Sequence, residues 1–268
     1  MEDITSKGIA LITGGCSGIG RAIANELAQK GYDLILASNQ EERLHKSCEE
    51  IIAKYHIKVR PVFIDLALPD AAVKLYEYCH SEQLEVDILV NNAGIFFFGE
   101  VVETPGAKAQ CIMTLHTTTP ALLCTLFGKD MKAKRSGHIL NISSLAASLP
   151  YPGIAFYSST KRFIRSFSRS LRTEMIDYNV NVTCIRPGAV STQLYELSEA
   201  DHKKAIRYGV MMRPEKLARI ALNAMFSKRS LVMPGILNRI FLPFILLIPH
   251  GIVLLVKRHS GFFPAKES

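Results

Sequence analysis

The chain has little of what several function classes require. It has no block of five or six lysines and arginines, so its 32 Lys and Arg against 24 Asp and Glu read as a basic solvated surface and not as a nucleic-acid footprint. Its six cysteines are widely spaced, with no CxxC pair and no Cys/His cluster at zinc spacing. That excludes a disulfide framework and a structural metal site, leaving reduced thiols. No repeat or low-complexity linker interrupts the sequence. The first strand-like run begins at about Gly8, which leaves no room for a cleaved leader and predicts a cytoplasmic location. What is abundant is apolar side chain. A hydrophobic content of 48% over 268 residues is ample for one large core and excludes a disordered or fibrous chain.

That apolar content is patterned. Short aliphatic runs, "GIALIT", "DLILAS", "VRPVFI", "DILVNN", "GHILNIS" and "NVTCIRP", alternate with helix-period stretches over 18–31, 41–55, 69–82, a long stretch ending near Lys134, and 155–178. Such alternation predicts α/β architecture: one doubly wound parallel sheet, a single Rossmann-type domain over 1–235. Two stretches fall outside the pattern, the polar segment 191–212 and an apolar C-terminal extension over 236–268.

Directly after the first run comes "TGGCSGIG", opening into the helical "RAIANELAQKG". Strand, glycine turn and helix in that order form a phosphate cradle, because the backbone turns tightly and the first helical amides face an anion. The candidate contacts are Thr13, Gly14, Ser17, Gly18, Ile19 and Gly20. Further on, "YSSTK" places Tyr157 and Lys161 four residues apart, on one face of a helix. The plain reading is packing of Tyr157, Ile164, Leu171 and Met175 with Lys161 reaching water. The chemical one is an ammonium beside a phenol, favouring the phenolate of a group whose free pKa is about 10.

The GxxxGxG spacing, "DL" at Asp65 and Leu66, "NNAG" at 91–94, "NISS" at 141–144, "YSSTK" and "RPGAVST" at 186–192 together resemble the short-chain dehydrogenase/reductase family. The resemblance covers about residues 8–233. It implies an NAD(P)-dependent oxidoreductase that interconverts a ketone and a secondary alcohol, with Ser144, Tyr157 and Lys161 as its catalytic set. It also implies Asp65 and Leu66 at the adenine, Asn92, Ala93 and Gly94 along the cleft, and Pro187, Gly188, Val190 and Thr192 beside the nicotinamide. Where the family usually has a relay asparagine this chain has His116, an alternative proton relay. Family members usually pair the helix carrying the Tyr and Lys with its copy, which implies a homo-oligomer, with Phe163, Phe167 and Leu171 offering part of the face.

NAD sites commonly carry an acid about 20 residues past the glycines; here Ser38 and Asn39 stand instead, with Arg21 and Arg43 near in sequence. NADP is therefore expected over NAD. Segment 191–212, with Leu194, Tyr195, Leu197, Met211 and Met212 among charges, reads as a lid over an apolar small molecule such as a ketoacyl chain, a sterol or a long-chain ketone. Two other classes compete: a cofactor-binding regulatory or scaffold protein without turnover, and an epimerase or dehydratase. The tail allows three readings. A spanning helix is disfavoured by Pro243, Pro249, His250 and Gly251; packing over the cleft or a partner subunit is preferred; peripheral membrane contact through 236–259 is the alternative.

Overall fold

The computed structural model describes residues 6–149, 151–195 and 198–259. The aliphatic runs are strands because their β-branched and leucine side chains are buried on both faces of a sheet, which suits near-continuous apolar sequence. In chain order the first half runs β1 (Ile9–Thr13), α1 (Gly18–Gln29), β2 (Asp33–Ser38), α2 (Glu41–Tyr55), β3 (Val59–Phe63), α3 (Ala71–Ser81), β4 (Val86–Asn91) and α4 (Gly106–Met113). A π-helical turn, Thr114–Thr118, joins α4 to α5 (Thr119–Lys134), which leads to β5 (Gly137–Ile142), α6 (Ala155–Met175) and β6 (Val180–Ile185). The remainder is α7 (Glu199–Arg207), α8 (Pro214–Phe226), β7 (Leu231–Val232), α9 (Ile236–Leu246) and α10 (His250–His259).

All seven strands are parallel, in the order β3-β2-β1-β4-β5-β6-β7. Period-two alternation divides the core. Ala10, Ile12, Leu34, Leu36 and Val90 face α1, α2 and α8, while Leu11, Ile35, Leu89 and Ile139 face α3 and α5. Pro61, which lacks an N–H, is tolerated in β3 because that strand is at the sheet edge. The seventh strand, only two residues long, extends the sheet past the six that the aliphatic runs predict. Segment 191–212 is closed at its base: Ser191 N donates to Met212 O (2.9 Å) and Met212 N to Ala189 O (2.9 Å). Of its expected apolar residues, Leu197 lies outside the described residues. The order of strands reverses between β1 and β4, and an open parallel sheet forms its crevice at such a point, beyond the carboxyl ends of the strands.

Candidate functional site

A cleft of about 320 Å³ occupies that crevice. Its floor is the glycine turn. At Gly20 a Cβ would lie 2.1 Å from Gly14 O, so only glycine lets α1 start this close to the strand. The cap residue Ser17 makes no side-chain hydrogen bond to the helix, and its first turn contains no acid. The α1 N-terminus therefore offers amides and a positive dipole end to a pyrophosphate without competition from its own residues. Thr13 and Asn92 tie the two sides of the switch point together. Thr13 Oγ1 accepts the amides of Asn92 (2.9 Å) and Ala93 (3.0 Å), and Asn92 Nδ2 donates to Thr13 O (3.0 Å) and Gly14 O (3.2 Å).

At the adenosine end, Ser38 is occupied internally: its Oγ accepts the Gln40 amide (3.2 Å) and meets Cys16 Sγ at 3.1 Å. Asn39 and Arg43 line the cleft beside it. Arg43 Nη1 donates to Gln193 Oε1 (2.8 Å), joining the β2–α2 turn to segment 191–212. Arg21, by contrast, points away to Glu50 (2.8 Å) and to Ser47 O, and does not line the cleft. Of the two arginines near in sequence, only Arg43 is placed to meet a 2′-phosphate. Among the described residues, no carboxylate stands with it at the cleft wall except Asp65, whose Oδ1 accepts the Ala67 amide at 3.0 Å.

At the other end Ser144, Tyr157 and Lys161 converge. Ser144 leaves β5 as the cap of a 3₁₀ turn; its Oγ accepts the Ala146 amide (3.1 Å), so its O–H is the donor it can present to the cleft. On α6, Tyr157 and Lys161 are buried, 8% and 7% exposed. Lys161 thus turns to the cleft and not to the outer surface. Its Nζ donates to Ile142 O at 3.1 Å and lies 5.8 Å from the Tyr157 ring centre. Burial brings its pKa down to about 8. Ser143 Oγ donates to Lys161 O (2.7 Å) and so ties α6 to the end of β5.

His116 lies in the π-helical turn, 2% exposed. Its Nε2 accepts the Ile95 amide at 3.0 Å, so Nδ1 carries the proton and donates to Thr160 Oγ1, also at 3.0 Å. Thr160 Oγ1 in turn donates to Tyr157 O (3.0 Å). Burial first, and the nearby Lys161 charge second, hold the imidazole pKa well below its usual value. Gly94 permits this approach, since a Cβ there would lie 2.7 Å from Nε2.

The catalytic and cofactor-binding candidates named from the sequence line this cleft, except Arg21, which points away to Glu50, and Thr13 and Gly20, which shape it from behind. Sequence reasoning missed three partners: Gln193 on Arg43, Ile95 on His116, and Phe96, whose ring meets Tyr157 edge-on at 5.0 Å. The run of three phenylalanines, 96–98, was the available signal for the last. Phe97 faces Phe156 at 6.3 Å and Phe98 is 49% exposed, so the loop that follows the cleft-lining Ile95 is aromatic.

A family model described as short chain dehydrogenase matches residues 8–203. The chain is 36% identical over 188 residues to 17-beta-hydroxysteroid dehydrogenase type 3 of Mus musculus, an alignment covering 69% of this chain and 61% of that protein. It is 32% identical over 218 residues to the 3-oxoacyl-(acyl-carrier-protein) reductase FabG of Aquifex aeolicus, covering 80% of this chain and 88% of that protein. Among solved structures it resembles L-sorbose reductase from Gluconobacter frateurii, complexed with NADPH and L-sorbose. The TM-score is 0.75 at 29% identity, over 86% of this chain and 95% of that one. The chain spans about three fifths of the length of the mouse relative.

Proposed function

The chain belongs to the short-chain dehydrogenase/reductase family, and on that premise we propose that it interconverts a ketone and a secondary alcohol with NAD(P), acting on a lipophilic substrate. The observation that carries this reading is the convergence of Ser144, Tyr157 and Lys161 at the end of the cleft away from the glycine turn. The bound nicotinamide would supply or accept the hydride. The Tyr157 phenol gives a proton to the carbonyl oxygen during reduction and takes it back during oxidation. Ser144 O–H steadies the same oxygen as charge develops on it. The Lys161 ammonium, held in a dry site without a carboxylate among its described partners, favours the phenolate more strongly than it would in water. Its position on the same helix face also lets it meet the cofactor ribose.

His116 is assigned to positioning. A relay needs an exchangeable partner on both ring nitrogens, and here Nε2 is taken by the Ile95 backbone amide while Nδ1 meets the Thr160 hydroxyl on α6. NADP is favoured over NAD by Arg43 at the cleft wall and by Ser38 and Asn39 in place of an acid. The relative crystallised with NADPH supports that preference. Phe96 against Tyr157, with Phe98 packed on it, and Leu194 in the cleft lining support an apolar substrate. A homo-oligomer formed through α6 completes the reading, with Phe163, 40% exposed and stacked on Phe167 at 5.6 Å, as part of its face.

Tyr157→Phe tests the catalytic assignment. It keeps the ring against Phe96 and removes only the hydroxyl. NADPH oxidation with ketones graded in chain length should fall about 10²-fold or more, while NADPH binding, followed by fluorescence, stays within a few fold. Turnover near that of the wild type would refute the role.

A further inference from the structure

The C-terminal helices leave the body of the protein at the rim of the cleft. Asn238, in the first turn of α9, packs on the cleft-lining Gly188, where a Cβ would lie 2.6 Å from its Nδ2. Leu242, one turn later, is 8% exposed. Beyond it burial ends. Phe244 is 67% exposed, Leu247 76% and Leu255 61%, with Leu246, Ile248 and Ile252 also open to solvent. Such a continuous apolar surface on a basic protein calls for an occupant.

Length and charge identify which one. Pro249 separates α9, 11 residues, from α10, 10 residues. At 1.5 Å per residue each is about half the ~30 Å of a bilayer's hydrocarbon core, so neither spans. Between Glu215 and Glu267 the chain has no acidic residue and eight lysines and arginines, which equals the entire excess of 32 basic over 24 acidic residues. The rest of the molecule is balanced. Four of the eight, Arg239, Lys257, Arg258 and Lys266, belong to the tail itself; two copies meeting tail to tail would bring these like charges together, whereas an anionic lipid surface neutralises them. An apolar segment flanked by cations, too short to span, is the composition of a helix lying in the membrane interface.

We propose that α9 and α10 form a hairpin that seats on anionic membrane, with Phe244 and Leu246–Ile248 entering the headgroup boundary and the flanking cations meeting lipid phosphates and carboxylates. Because α9 is rooted at Gly188, docking holds the cleft beside the bilayer. On the reading of a lipophilic ketone, the substrate then reaches Tyr157 from lipid without crossing water. The docking itself does not depend on that reading.

Flotation of the full chain with vesicles of phosphatidylcholine and phosphatidylserine at low salt tests it. The protein should rise with these vesicles and stay down with phosphatidylcholine alone. F244E/L247E, at exposed positions, should reduce the floated fraction about tenfold while NADPH fluorescence binding is unchanged. K257E/R258E, which leaves the apolar face alone, should also reduce it and serves if the first variant does not fold. A chain that stays at the bottom with anionic vesicles overturns the proposal. So does a variant pair that floats like the wild type, or light scattering in which F244E/L247E converts a dimer to a monomer without any flotation. Flotation without turnover on long-chain ketones would sink the substrate reading and leave the docking intact.

Discussion

His116 illustrates how a single residue's chemistry follows from its partners. A histidine in a helix can carry protons because its free pKa is about 6.5. Here the ring accepts one backbone amide and donates to one hydroxyl, and burial keeps it neutral. Its folded pKa is below the unfolded value, so the unfolded chain takes up a proton that the folded chain does not. Its contribution to stability is therefore present above about pH 6.5 and is lost as pH falls below it, by up to about 1.4 kcal/mol per pH unit. His138, partly buried and also shifted down, adds a slope of the same sign that no change at 116 removes. His116→Asn should accordingly reduce, not abolish, the loss of urea stability between pH 7 and pH 5. The pH profile of turnover should keep the inflections of the wild type. Loss of a turnover inflection in the variant would restore the relay, and an unchanged stability slope would refute the buried neutral imidazole.

At the scale of elements, the proposed cofactor preference rests on the turn from β2 into α2. Its polar residues are divided between structure and recognition: Ser38 is committed to the Gln40 amide and Cys16, and Arg43 is held toward the cleft by Gln193. A guanidinium meets a phosphate with paired donors, so its loss removes a charge-assisted contact that only the 2′-phosphate can use. Arg43→Ala should weaken NADP binding by roughly tenfold, about 1.4 kcal/mol, and leave NAD affinity nearly unchanged, as read by competition binding. Equal weakening of both would mean that Arg43 acts through segment 191–212, which it also fastens. Arg21→Ala, with its guanidinium turned to Glu50, should leave the preference alone.

At the scale of the whole molecule, α6 both carries the proposed catalytic pair and presents aromatic surface on its outer side. Phe163 and Phe167 stack at 15° with Phe163 largely exposed, an arrangement that gains more by meeting a second copy than by facing water. Light scattering at micromolar concentration should give a dimer or tetramer, and Phe163→Glu should shift it toward monomer. A wild-type monomer refutes the interface. Since the same helix holds Tyr157 and Lys161, the monomeric variant should also show lower thermal stability than the assembled protein.

Local rules of the chain determined the alternation of strands and helices, the glycine turn at a helix start, and the placing of Tyr157 and Lys161 on one helix face. Each depends on residues within a few positions of one another, where period and steric freedom decide the outcome. Tertiary structure decided what those residues can do. Spacing puts Lys161 beside Tyr157 whether it faces water or core; only the packing of α6 against β5 buries it and lowers its pKa. Arg43 meets Gln193 across 150 positions, and His116 binds partners 21 and 44 positions away. The short strand β7 exists because β6 offers it an edge, since two residues have no pattern of their own. Desolvation and long-range hydrogen bonding depend on what packs against a side chain, and that is settled by how the sheet brings distant segments together.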